Sequence, residues 1–157
     1  MSAARKGALA LAMLATIAGT VPVSAATFVV DDGASTPQES TAMLRWRRFA
    51  PSRATDSNTL EGATAVLVRL NLAPWMHRNG RVFLALPEQG TAPVRVNWTT
   101  QGRLLPGSIT PGNRVLVYAG SITTAVLEET LTLQIEADGS RLPNMQRLKF
   151  HFEIDVD

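Results

Sequence analysis

The last ten residues alternate strictly between apolar and polar. Leu148, Phe150, Phe152, Ile154 and Val156 fall on one face, and Lys149, His151, Glu153, Asp155 and Asp157 on the other. A period of two over that length is the pattern of a half-buried β-strand, whose successive side chains point to opposite sides. The run from Thr130 to Glu136 repeats it, with Leu131, Leu133 and Ile135 opposing Thr130, Thr132, Gln134 and Glu136. The link between the two runs holds Asp138-Gly139 and Leu142-Pro143-Asn144, too long for a two-residue hairpin. Consecutive strands usually lie side by side, so the two runs are expected to pair antiparallel.

The same pattern recurs upstream. Val66, Val68, Leu70 and Leu72 alternate with Leu67, Arg69 and Asn71, and Val94, Val96 and Trp98 with Arg95, Asn97 and Thr99. Asn79-Gly80 predicts a tight turn, because both residues tolerate positive φ. It leads into Arg81 to Leu86, stopped by Pro87, and Pro111-Gly112-Asn113 turns the chain into Val115 to Tyr118. A further strand from Met43 to Phe49 is crowded by Arg45, Arg47 and Arg48. About seven strands punctuated by Gly and Pro predict an all-β fold, a single antiparallel β-sandwich of immunoglobulin-like type. A short helical turn over Ile122 to Glu129 is the only helix signal. Residues 31–41 and 50–64 are polar and rich in Ser, Thr and Ala, and read as a mobile lead and a long loop. The resulting division is 1–25, a 26–41 flexible N-terminal lead, and a 42–157 sandwich domain.

Residues 1–25 read as an address. Arg5-Lys6 precede a stretch of 15 uncharged residues from Gly7 to Val21, followed by Pro22 and the small residues up to Ala25 and Ala26. This is the layout of a secretory signal peptide, with cleavage after Ala25 fitting best and after Ala26 nearly as well. The apolar stretch is short of the ~20 residues that span a bilayer. No cysteine marks a lipidation site, and with no cysteine anywhere no disulfide framework or thiolate site exists. A periplasmic, secreted or cell-surface location is expected, with no transmembrane segment after cleavage.

Cleavage also changes the charge. The formal +2 belongs to Arg5 and Lys6, so the remaining 132 residues carry 13 basic and 13 acidic side chains. That neutrality removes the case for a nucleic-acid partner. The charges are nevertheless segregated along the chain. From Arg45 to Arg114 there are ten Arg against three acids; from Val115 onward there are seven acids against three basic residues. Such a split gives either a two-poled surface or strands of opposite sign that pair and cancel.

Candidate chemistry is sparse. His77 and His151 are the two histidines, and no Gly-x-Ser-x-Gly, Ser-x-x-Lys or His-Glu-x-x-His pattern is present. His151, Glu153 and Asp155 share a strand face, but at roughly 7 Å between neighbours, long for one metal ion. Glu128 and Glu129 point to opposite faces of a strand and cannot flank one bond, so they read as a solvated edge. Asn97-Trp98-Thr99 fits the glycosylation sequon but lies in a strand. Trp46 is expected in the core with its neighbouring arginines reaching to solvent. No catalytic residue, metal or cofactor is therefore assigned. Trp75, His77 and Arg78, between two strands, form a candidate recognition patch.

Phe28, Val29 and Val30, within Ala26 to Val30, form a short apolar β-former at a free end, suited to pairing with another chain by strand addition. In architecture and composition this reading is similar to secreted fimbrial subunits, small sandwiches with an N-terminal extension. The chain departs from many of them in having no cysteine pair, and its extension lacks the long alternating pattern of a strong donor strand. The expected function is a non-catalytic extracytoplasmic protein-interaction or assembly module. The alternatives are a binder of a small apolar ligand held among Phe83, Trp98 and Phe152, and a small hydrolase.

Overall fold

A computed structural model describes residues 26–37, 43–47, 58–88, 94–140 and 148–157. The expected signal segment 1–25 lies outside them. Ten strands are described: β1 (Ala26–Val30), β2 (Thr36–Pro37), β3 (Arg45–Trp46), β4 (Thr59–Asn71), β5 (Asn79–Leu86), β6 (Val94–Thr99), β7 (Gly107–Ile109), β8 (Asn113–Ser121), β9 (Val126–Asp138) and β10 (His151–Val156). They form two antiparallel sheets. One runs β1-β10-β5-β8; the other runs β2-β4-β9-β6-β7, with β3 also pairing β4.

The two sheets pack face to face as a β-sandwich, and the alternation seen in the sequence decides what lies between them. Val82, Leu84, Leu86, Phe152, Ile154 and Val156 come from one sheet. Val68, Leu70, Val96, Trp98, Leu131 and Leu133 come from the other, and all are buried. Trp98 fits because residue 107 is glycine: a Cβ there would sit 2.5 Å from the indole. The indole Nε1 donates to the Leu105 carbonyl at 2.9 Å, so the one polar atom of this large core residue is satisfied.

Several local expectations are corrected. The runs at 130–136 and 148–156 are not partners: β9 pairs β4 and β6, whereas β10 pairs β1 and β5 in the other sheet. Each run is apolar on one face, and alternation alone does not say which sheet a strand joins; β9 and β10 belong to different sheets. No helix forms at Ile122 to Glu129, because Val126 to Glu129 register against Asn71 to Val68 of β4. Asn79-Gly80 is not a turn but the start of β5. The left-handed backbone falls two residues earlier, at His77 (φ 64°). Gly80 is small for packing, since a Cβ would meet Ile122 Cδ1 and Ile154 Cδ1 at 3.0 Å.

The expected strand at 43–49 is reduced to Arg45–Trp46, and the last strand begins at His151 rather than Leu148. Of the expected loop at 50–64, residues 59–64 belong to β4, and 50–57 lie outside the described residues. The Pro111-Gly112-Asn113 turn is present, with Gly112 at φ 83°. The segment read as a flexible lead joins the sandwich over its described part. β1 pairs β10, Asp31 bridges Asn71, and β2 pairs β4. Residues 38–41 lie outside the described residues.

The segregated charges cancel across strands. Register puts Arg69 against Glu128, Arg95 against Glu136, and Arg45 against Glu61. Arg47 closes on both Glu61 and Glu136, and Arg69 reaches Glu128. Of the two outcomes left open by the sequence, opposite strands have neutralised each other.

Candidate functional site

The residues singled out as a recognition patch and as an apolar terminus meet at one end of the sandwich. Phe28 and Trp75 are 47 positions apart in the chain, yet their ring centroids are 5.9 Å apart at 44°. Trp75 lies in a 3-10 turn (Ala73–Trp75) with Pro74 in its first turn, where a missing N–H costs nothing. The turn is tied to the 121–125 link by three backbone bonds: Leu72 N–H to Ala125 O (2.7 Å), His77 N–H to Ile122 O, and Ile122 N–H to Arg78 O (both 2.9 Å). Trp75 is thereby buried against the core rim rather than displayed. His77 and Arg78 are exposed, and Arg78 Nη2 donates to the Asp157 carbonyl at 2.5 Å. The patch expected at 75–78 is thus divided, its aromatic member folded back and its polar members outward.

β1 is fully paired on one side only. Its five residues register with Val156 to Phe152 of β10, and no described strand pairs its other side. Val30 is buried in the core, Phe28 is 43% exposed and Val29 is 70% exposed. The terminus is therefore an edge strand of the protein's own sheet and not a free donor. Of the two ways of adding a strand, donating or accepting, this placement of Phe28 to Val30 leaves the accepting one, since the outer side of β1 is a row of backbone groups that no described strand pairs.

A polar cluster that the sequence reading missed fastens β1 to its neighbours. Thr27 Oγ1 donates to Asp155 Oδ1 at 2.6 Å across the β1–β10 pair. Arg114, reaching from β8 on the far side of the sheet, donates to Asp155 at 3.2–3.3 Å and to Glu153 Oε2 at 3.2 Å. Its guanidinium lies 4.3 Å above the Phe83 ring. The Asp155 carboxyl is held below its ordinary value by the Thr27 hydroxyl first, against burial, and then by Arg114 and the charge of Arg81. Arg114 is correspondingly raised, chiefly by its bond to Asp155. His151 Nε2 is 3.1 Å from Glu153 Oε1. The strict alternation of 148–157 put these residues on one outward face, but only the strand order could bring Arg114 and Thr27 to them.

A second missed carboxylate carried a visible signal. Glu129 occupies a core-facing position in the series Leu127, Leu131 and Leu133, where a charge is out of place. Its two oxygens accept from the backbone N–H of Gly102 and Arg103 (2.8 Å) and Leu104 (2.9 Å), holding the β6–β7 loop. β6 reaches β9 only as far as Thr132, so Glu128 and Glu129 are flanked by β4 alone; their opposite orientation holds, with exposed Glu128 on Arg69 and Glu129 on the 102–104 backbone.

Phe83 lies beneath Arg114 on the outer face, while Trp98 and Phe152 are in the core, so these three do not line one cavity. A cavity of about 340 Å³ is lined by Asn79, Gly80, Arg81, Gly120, Asp155 and Asp157, and one of about 400 Å³ includes Thr59, Arg95, Thr110 and Glu136. Both are open depressions of mixed lining, the second also bounded by Val94 and Ala137. Trp46 is 36% exposed and rests on Gly139 and Leu60 at the opposite end of the sandwich, instead of entering the core. Among the described residues no group of three His, Asp or Glu could hold a metal ion. Among the same residues no helix is long and apolar enough to cross a membrane.

Comparison with protein-family models, with curated proteins and with solved structures returned no match.

Proposed function

We propose that this chain is a non-catalytic interaction module that works outside the cytoplasm and contacts another protein chain along the outer edge of β1. The observation that carries the reading is the state of that edge. Ala26-Thr27-Phe28-Val29-Val30 contains no charge, proline or glycine, and its outer backbone faces no described strand. Strands at sheet edges normally carry such protection, because unpaired N–H and C=O groups accept any passing strand. The signal-like segment 1–25 supplies the compartment in this reading. An assembling surface subunit of fimbrial character would use β1 as an acceptor edge, not as a donated strand.

A non-catalytic role accords with the placement of the two histidines. His77 precedes β5, and His151 stands opposite Ala85, six residues along from Asn79 and so about 20 Å away. To test the reading, a photoreactive amino acid is placed at Val29 in the exported protein, and at Gln134 on the outer face of interior strand β9 as a control. Irradiation of producing cells is expected to yield a covalent protein adduct from position 29 and none from 134. No adduct from 29, or equal adducts from both positions, overturns the proposal.

A further inference from the structure

The edges of this sandwich differ in how they are closed, and the difference identifies a partner. β4 carries β3 over Leu60 and Glu61, β2 over Val66 and Leu67, and the Asp31 bridge at Asn71. β7 is three residues long and lies between Pro106 and Pro111. β8 bears Arg114, contains a register shift opposite Val82 and Phe83, and gives the Val117 carbonyl to Leu105 N–H at 2.7 Å. Short length, proline, charge, bulging and a covering loop are the usual ways of preventing edge pairing. Among the described residues β1 has none of them.

Resting on the interaction reading above, we infer that the strand received by β1 is β1 of a second copy of the same chain, paired antiparallel about a two-fold axis through Phe28. Full overlap of two five-residue strands requires that axis, since Phe28 is the middle residue. The pairing is isologous, so one surface satisfies both sides. It sets Phe28 against Phe28 of the other copy and Thr27 against Val29. Both large apolar side chains that β1 exposes are covered in one step, and the Phe28–Trp75 contact is extended into a run of four rings. The charges also suit self-pairing. The paired strands carry no charged side chain, and after cleavage at Ala25 the charged amino terminus on Ala26 of each copy lies beside Asp31 of the other. The four-stranded sheet then continues through the dyad as eight strands.

An edge of five residues buries less than the ~1,200 Å² of a standard stable interface, so the dimer is weak and concentration-dependent. The test uses purified exported protein, with its absence of cysteine as an advantage. Directly opposed residues have Cα atoms about 4.5–5.5 Å apart, within disulfide reach, whereas the two Val29 positions are diagonal at about 7–8 Å. Phe28→Cys is expected to give a disulfide-linked dimer on oxidation, and Val29→Cys to stay a monomer. The weight-average mass of the unmodified protein is expected to rise towards two chains between about 1 and 500 µM. Val29→Lys, at an exposed position that leaves the core intact, is expected to hold it at one chain. A mass of one chain at every concentration, or equal crosslinking at 28 and 29, overturns the inference. An adduct with a different chain from the Val29 photoprobe, with a monomer in solution, sinks self-pairing alone; no adduct sinks the edge reading with it.

Discussion

Thr27→Val is the sharpest perturbation of the β1–β10 seam. It keeps the shape and β-branching of the side chain and removes one hydroxyl, the one that donates to Asp155 Oδ1 at 2.6 Å. A hydrogen bond to a charged acceptor contributes about 1.5–3 kcal/mol. Asp155 is 7% exposed, yet Thr27 is open to solvent, so water replaces part of the interaction and about 1–2 kcal/mol is expected. For a domain of this size that lowers Tm by roughly 3–8 °C. The pH dependence is the more demanding part. Because the folded carboxyl titrates below its ordinary value, its stabilisation is complete above the unfolded pKa and disappears as pH falls through the folded one. Urea titrations of both proteins should therefore differ at pH 7 and converge as pH drops from about 4 towards 2. A difference that is absent at pH 7, or unchanged at pH 2.5, would refute the assignment of Thr27 as the main partner of ionised Asp155.

Other consequences can be checked by the same unfolding measurements. Glu129→Ala removes the acceptor for three backbone N–H groups and should cost about 2 kcal/mol, with faster amide exchange at Gly102 to Leu104; unchanged exchange there would contradict the role given to Glu129. Gly80→Val forces two methyls towards Ile122 and Ile154 and should cost about 1–3 kcal/mol, whereas a turn glycine at that position would tolerate it differently. His77→Gly relieves a left-handed residue and should raise stability by up to ~1 kcal/mol; a loss would mean that the imidazole makes a contact worth more than the backbone strain.

The class of fold was readable because alternation is a direct record of burial. Every strand that alternated strictly, such as Val94 to Trp98 and Phe152 to Val156, is present with the predicted face inward. Sheet membership was not readable, since alternation says which face is buried and nothing about the neighbour. That is why 130–136 and 148–156 were matched wrongly. Turn chemistry misled at Asn79-Gly80, where the glycine answers to Ile122 and Ile154 from distant parts of the chain. The pairing of Phe28 with Trp75 and the Arg114–Asp155–Thr27 cluster both depend on strand order. Glu129 was the exception: a lone carboxylate in an apolar series marked itself, and asking which backbone donors it serves points to a loop such as 102–104.

Residue-resolved amide exchange in β1 tests the central claim most directly. An edge strand bound on one side sends alternate N–H groups to its partner and the rest outward. In dilute protein the amides from Thr27 to Val30 should alternate between slow and fast exchange, and the fast ones should slow as concentration rises. Uniformly fast exchange would contradict the pairing with β10, and uniform protection at dilution would contradict an open edge.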